Sequence, residues 1–243
     1  MIRIRLDMPK GDRTAVCETK AGSVKNLLDH ALSRHGYRLD RSTPARYGFG
    51  VIARRVNAGS LQRRLYRVER VWIGSADKEA ANALARIDVS DLWEPLDVSG
   101  AGLDLRTATI HEEHWESAEA ATGYAVSPIR VLNTEVGSPH GYAQSAFGPQ
   151  FDTSLNATMQ RRLGRSFHLR FIPDMSYVRL HQGNVQVRMS VRKLPDGRMV
   201  ALDGVVLPFL LVGPSIDIRD AWYSGLGAAT GEGFGWWGVS EWS

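Results

Sequence analysis

Apolar and charged residues alternate at the start of the chain. Ile2, Ile4, Leu6 and Met8 share one face, and Arg3, Arg5 and Asp7 share the other. A period of two is that of a half-buried strand, and Pro9, Gly11 and Asp12 end it in a turn. The period then changes. Val24, Leu27, Leu28, Ala31 and Leu32 recur at helical spacing, which predicts a helix from a Ser23 cap to about His35, stopped by Gly36. Strand-like runs follow near 46–56 and 65–74, and a second helix fits 77–86, with alanines and Leu84 inward. Strand, helix, strand, strand, helix is the opening of a ferredoxin-like βαββαβ unit.

The pattern weakens over 88–125. Residues 110–121 read either as an acidic helix or as a solvated linker. It then restarts. A strand is expected over 124–132, and a loop over 133–151. A short helix capped by Asp152 or Ser154 runs to Leu163 and stops at Gly164. Strands are expected over 167–180, 185–193, 198–203 and 205–212, with a hairpin turn at Leu194-Pro195-Asp196-Gly197. A helix over 214–223 and a last strand over 236–242 complete a second unit. The expected fold is α+β: two ferredoxin-like (RRM-like) domains in tandem, 1–122 and 123–243, the second carrying a glycine-rich loop near its end.

The chain has 243 residues, enough for two small cores. Its formal charge is +4, too modest to demand a polyanionic partner. The choice of cation says more. Lysine occurs only at Lys10, Lys20, Lys25, Lys78 and Lys193, and arginine supplies the rest. Arginine grips phosphate with a planar fork and stacks on bases. Cys17 is the only cysteine, so neither an intramolecular disulfide nor a cysteine zinc site can form. No apolar run approaches the roughly 18 residues of a membrane span, so a cytoplasmic protein with no membrane partner is expected.

The most informative stretch is 205–238. Gly225, Gly227, Gly231, Gly233 and Gly235 fall within eleven residues. Glycine permits positive φ and lets main-chain N–H groups approach a phosphate. A dinucleotide fingerprint fails, because Thr230 holds its third glycine position and too little chain follows for a crossover helix and strand. No Gly-Lys-Ser/Thr is present, so a Walker loop fails too. From about Phe209 to Gly238 the order is an apolar strand, a Gly-Pro turn, a short helix, Ser-Gly-Leu-Gly, a variable loop and Gly-Phe-Gly. That order closely resembles the C-terminal signature of the RAMP proteins of CRISPR systems. Length, two halves and an early helix bearing histidines make the chain most similar to the endoribonucleases that process CRISPR repeats. Its arginine abundance leans toward a type IV-like member.

The resemblance implies metal-independent cleavage of a repeat stem-loop. The ribose 2′-OH attacks the adjacent phosphate, leaving a 2′,3′-cyclic phosphate and a 5′-OH. The enzyme would stay on the mature guide RNA as a subunit beside other CRISPR effector proteins. The alternative is a non-catalytic RAMP subunit that only binds guide RNA. Neither reading calls for a cofactor or metal. His111 and His114 bracket two glutamates, but at a spacing of three rather than that of H-E-x-x-H. Such cleavage needs a base, a cation for the phosphorane and an acid. The family places its base in or just after the first helix, which singles out His30 and His35, with Tyr37 and the cationic candidate Arg38 directly behind. RNA contacts are expected from the five glycines and from two arginine groups: Arg63, Arg64 and Arg67, and Arg161, Arg162, Arg165 and Arg170. If 60–70 is helical, Arg63, Arg67 and Arg70 share a face. The tryptophans Trp236, Trp237 and Trp242 are expected in the core rather than as base-stacking platforms.

Overall fold

The computed structural model describes residues 1–12, 14–40, 42–56, 65–93, 103–132, 147–194 and 196–239. It is a mixed α+β fold built on antiparallel sheets. The first half runs β1 (Ile2–Asp7), β2 (Val16–Cys17), α1 (Lys20–Arg34), β3 (Gly48–Val56), β4 (Leu65–Ser75), α2 (Lys78–Leu84) and β5 (Thr109–Glu112). Its sheet has the order β3–β4–β1–β5, and β2 pairs with β4 at Tyr66 and Arg67. The second half runs β6 (Ala120–Ala125), α3 (Pro149–Leu163), β7 (Arg170–Pro173), α4 (Met175–Leu180), β8 (Gln186–Lys193), β9 (Met199–Val205), β10 (Pro208–Val212), α5 (Ser215–Ser224) and β11 (Trp237–Gly238). Its sheet has the order β11–β6–β10–β7, while β8 and β9 form a separate hairpin. Leaving β2 and that hairpin aside, each half follows the same course. Its first strand lies between its third and fourth, and its second strand sits outside the third.

Each half has its own core. Leu6, Leu27, Leu28, Leu32, Phe49 and Ile73 fill the first, between the sheet and α1. Phe151, Phe171, Phe209, Trp222 and Trp237 fill the second. The other face of the first sheet meets the second half. A Cβ on Gly50 would stand 2.5 Å from Trp236 Cβ, and one on Gly74 would stand 2.5 Å from the Tyr223 carbonyl. These strands carry glycine because an indole and a helix end rest directly on their backbone.

Arg3 joins the two halves. It lies on the polar face of β1 yet is only 1% exposed. Its Nε donates to Glu113 at 2.7 Å, and its terminal nitrogens donate to the Trp222 and Trp237 carbonyls, both at 2.9 Å. The guanidinium lies 3.5 Å from the Trp222 ring centre and 4.6 Å from that of Trp236.

Several expected boundaries move. The first helix starts at Lys20 after Thr19; Ser23 lies a turn inside and is buried against the core. The strand expected over 167–180 stops at Pro173, because the Asp174 side chain accepts from Ser176 N and Tyr177 N and caps α4. Residues 109–112 form strand β5 on the edge of β1, so the acidic segment is not a helix there. The 124–132 strand begins earlier, at Ala120, and ends at Ala125. Residues 65–75 are strand β4, not a basic helix, and a bulge at Glu69 leaves Arg67 and Arg70 on one face, opposite the core residues Val68 and Val71. Arg63 and Arg64 lie outside the described residues. The last strand spans only Trp237–Gly238, and residues 240–243 lie outside the described residues. The expected division at 122/123 falls inside β6.

Candidate functional site

A cleft of about 1560 Å³ opens where α1, the 37–47 loop, the end of α3, the β8–β9 hairpin and the glycine-rich segment meet. Packing makes this junction tight. Gly22 of α1 carries no side chain where a Cβ would stand 2.6 Å from the Val191 carbonyl, so the hairpin backbone lies on the helix. Met189, Val191 and Phe234 bury the contact with Ala21.

The glycine-rich segment forms part of the cleft wall, but its glycines do not line up as a phosphate cradle. Gly225, Gly227, Gly231, Gly233 and Gly235 are all buried. Gly225, Gly227, Gly233 and Gly235 have φ between 71° and 86°. A Cβ on Gly227 would run into the Arg130 carbonyl, and one on Gly235 into the Leu226 carbonyl. Leu226 N donates to Gly235 O at 2.7 Å, and Gly235 N to Pro128 O at 2.8 Å. The glycines let the loop fold on itself and on the 128–130 main chain. Packing accounts for their positive φ, while Gly227 and Gly231 also line the cleft. What the segment presents to the cleft is its 227–232 stretch, ending in Glu232.

Arg162 pins that segment from behind. It is buried, and it donates to Gly227 O at 3.0 Å and Gly225 O at 2.5 Å. No carboxylate pairs with it among the described residues, and burial pushes its pKa down to about 9. An unneutralised guanidinium behind the wall projects positive potential into the cleft.

On the facing wall, Lys25 and Asp29 lie one helical turn apart, with Nζ 2.5 Å from Oδ2. The buried Tyr47 hydroxyl donates to the other Asp29 oxygen. Burial and the Asp29 charge hold the Tyr47 phenol well above its ordinary value. Glu232 is half-buried, and burial raises its carboxyl above the usual 4.5 against the opposing pull of Lys25 and Arg192. Arg46 pairs with Asp77 at 3.1 Å, and Arg130 donates to the Asp203 carbonyl at 3.1 Å. Arg38, Arg161 and Arg192 are exposed cleft residues with no hydrogen bond or ion pair among the described residues.

The residues singled out from sequence separate into two groups. Tyr37, Arg38, Arg161, Arg162, Gly227 and Gly231 line the cleft. His30 and His35 do not. His30 is exposed on α1, and His35 Nε2 lies 2.8 Å from Asp91 Oδ2 at the helix end. No histidine lines the cleft among the described residues. Arg165 is bound by Asp217 at 2.5 Å and Asp220 at 2.6 Å, and Arg170 is exposed on β7; neither reaches the cleft. Arg67 lies on β4, also outside it. Sequence reasoning missed Lys25, Asp29, Tyr47, Arg192 and Glu232. The Lys25–Asp29 spacing was a visible signal; the other three come from distant segments.

No protein-family model and no curated protein sequence matches the chain. Solved structures do. One described as a Cas6-related gene from Pyrococcus furiosus superposes with a TM-score of 0.68 at 15% identity, over 100% of this chain and 99% of that one. A RAMP protein binding different RNA substrates gives 0.64 at 15% identity, over 99% and 100%. A CRISPR associated protein Cas6 gives 0.61 at 14% identity, over 99% of each. The chain therefore shares, over its full length, the fold of Cas6-related and RAMP proteins.

Proposed function

We propose that this protein binds CRISPR repeat RNA in the cleft and cuts it without metal, through attack of the 2′-OH on the adjacent phosphate. The cleft itself carries the reading. Small-molecule pockets run to about 1,000 Å³, and this one, at about 1560 Å³, has room for a stretch of polymer. Its cations Arg38, Arg161 and Arg192, unpaired among the described residues, suit a string of phosphates. The shared fold supports the same class. Two ferredoxin-like units would meet between Glu113 and Ala120, ahead of β6 rather than within it. In this reading Arg38 stabilises the phosphorane, and the product stays bound as a guide RNA among other effector subunits. The type IV lean from arginine content finds no support among the structural neighbours, so the proposal is made for the superfamily plan.

A specific observation favours a second reading, a RAMP subunit that only binds RNA: the described cleft has no histidine. One experiment separates the two. Purified protein is incubated with a library of 5′-labelled RNA stem-loops in EDTA. Defined cleavage with a 2′,3′-cyclic phosphate end supports the enzyme; tight binding without cleavage supports the binding subunit; absence of RNA affinity overturns both.

A further inference from the structure

No histidine lines the cleft among the described residues, so cleavage there would move its proton through another group. Among the described residues, the carboxylates lining the cleft are Glu18, Asp29, Asp40, Glu79, Asp203 and Glu232. Most are engaged or peripheral. Asp29 holds Lys25 and Tyr47. Asp40 is exposed and takes Ser42 N at 2.8 Å and the Ser42 hydroxyl at 2.6 Å. Asp203 takes the Arg188 guanidinium at 2.9 Å. Glu18 is engaged as well, and Glu79 is exposed on α2.

Glu232 differs in three ways. It is half-buried, and its carboxylate has no hydrogen bond or ion pair among the described residues. Its main chain is held in place: Glu232 N donates to Ala229 O at 2.9 Å, and the neighbouring Thr230 hydroxyl donates to Tyr47 O at 3.1 Å. The charged groups around it are Lys25 and Asp29 of α1 and Arg192 of β8. A carboxylate without a partner among the described residues, its main chain hydrogen-bonded in place and Lys25 and Arg192 close by, is suited to accept a proton beside a phosphate.

We propose that Glu232 is the general base of this cleft, taking the 2′-hydroxyl proton while Arg192 faces the phosphate; the inference rests on the cleavage reading above. The 2′-oxygen forms its bond to phosphorus, and the bond from phosphorus to the 5′-oxygen breaks. The electron pair stays on the 5′-oxygen, which takes a proton from solvent, and Glu232 returns its own proton to solvent. Nothing is oxidised or reduced.

The test uses the full chain, single-turnover conditions and the labelled stem-loops in EDTA. Glu232→Gln keeps the shape and removes the base. Cleavage slows at least about 100-fold, as loss of a general base does, while RNA affinity stays within about twofold. The wild-type rate rises with pH and levels off above the ordinary glutamate value; in E232Q that rise is gone. In Glu232→Ala, added formate restores part of the rate. Cleavage by E232Q within threefold of wild type, or equal losses of rate and affinity, overturns the assignment while leaving the enzyme reading intact. A wild type that binds but never cuts overturns both.

Discussion

Replacing Arg3 by methionine tests how the two halves are held together. The change removes three donors, to Glu113 at 2.7 Å and to the Trp222 and Trp237 carbonyls at 2.9 Å each. Hydrogen bonds from a charged group contribute about 1.5–3 kcal/mol each, so a simple sum overshoots. Three things reduce it. The methionine stem keeps part of the contact with the Trp222 and Trp236 rings. Burial, only partly offset by Glu113, already pushes the Arg3 pKa down to about 10, so removing the guanidinium relieves a desolvated charge. Glu113 also keeps Arg5 at 3.3 Å and Trp72 Nε1 at 3.1 Å. Breaking a buried pair from one side costs about 3–5 kcal/mol, and that is the expected loss. For a chain of this size, a loss of about 4 kcal/mol lowers the melting temperature by about 8–16 °C. Urea unfolding followed by tryptophan fluorescence measures the loss, and a cycle with Glu113→Gln isolates the pair term, expected above about 1 kcal/mol. A loss under about 1 kcal/mol, or a coupling near zero, would show that the tryptophan packing alone joins the halves.

Three further outcomes follow from the geometry. Gly235→Ala forces a Cβ toward the Leu226 carbonyl at φ 71°, so unfolding should come at least about 2 kcal/mol earlier by thermal melting; an unchanged melting temperature refutes the packing role given to this glycine. Arg38→Ala should slow cleavage more than it weakens RNA binding, measured by single-turnover rates against filter-binding affinities; equal losses reject a role at the phosphorane. Asp7 is partly buried, which works against its charged form, but Arg70 and Arg5 outweigh burial and hold its pKa below the ordinary 3.8. Its contribution is therefore full above the unfolded-state value and fades as pH falls through the lower folded-state value. Asp7→Asn should lower stability at pH 7 and lose that difference in strong acid; a pH-independent difference in urea midpoints contradicts the pairing.

Much of the fold was legible because local backbone geometry imposes local periods. The Ile2–Leu6 alternation and the Val24–Leu32 stripe both sit on core faces. Gly164 stops α3 in the left-handed conformation, as its place after an apolar row suggested. Misreadings came where a polar side chain redirected the chain. Asp174 turned an expected strand into α4.

The candidate site was legible only in fragments. By itself, the sequence determined the periods of its strands and helices, the absence of an intramolecular disulfide or cysteine zinc site, and the presence of an unusual glycine segment. Tertiary structure alone decided what those glycines do, because a left-handed turn looks the same in sequence whether it faces a ligand or a carbonyl from Arg130. It alone brought Lys25 and Asp29 of α1 together with Tyr47, Arg192 and Glu232 around one cleft. Periodicity reports which face of a single element is apolar; which distant side chains share a cavity depends on how those faces pack.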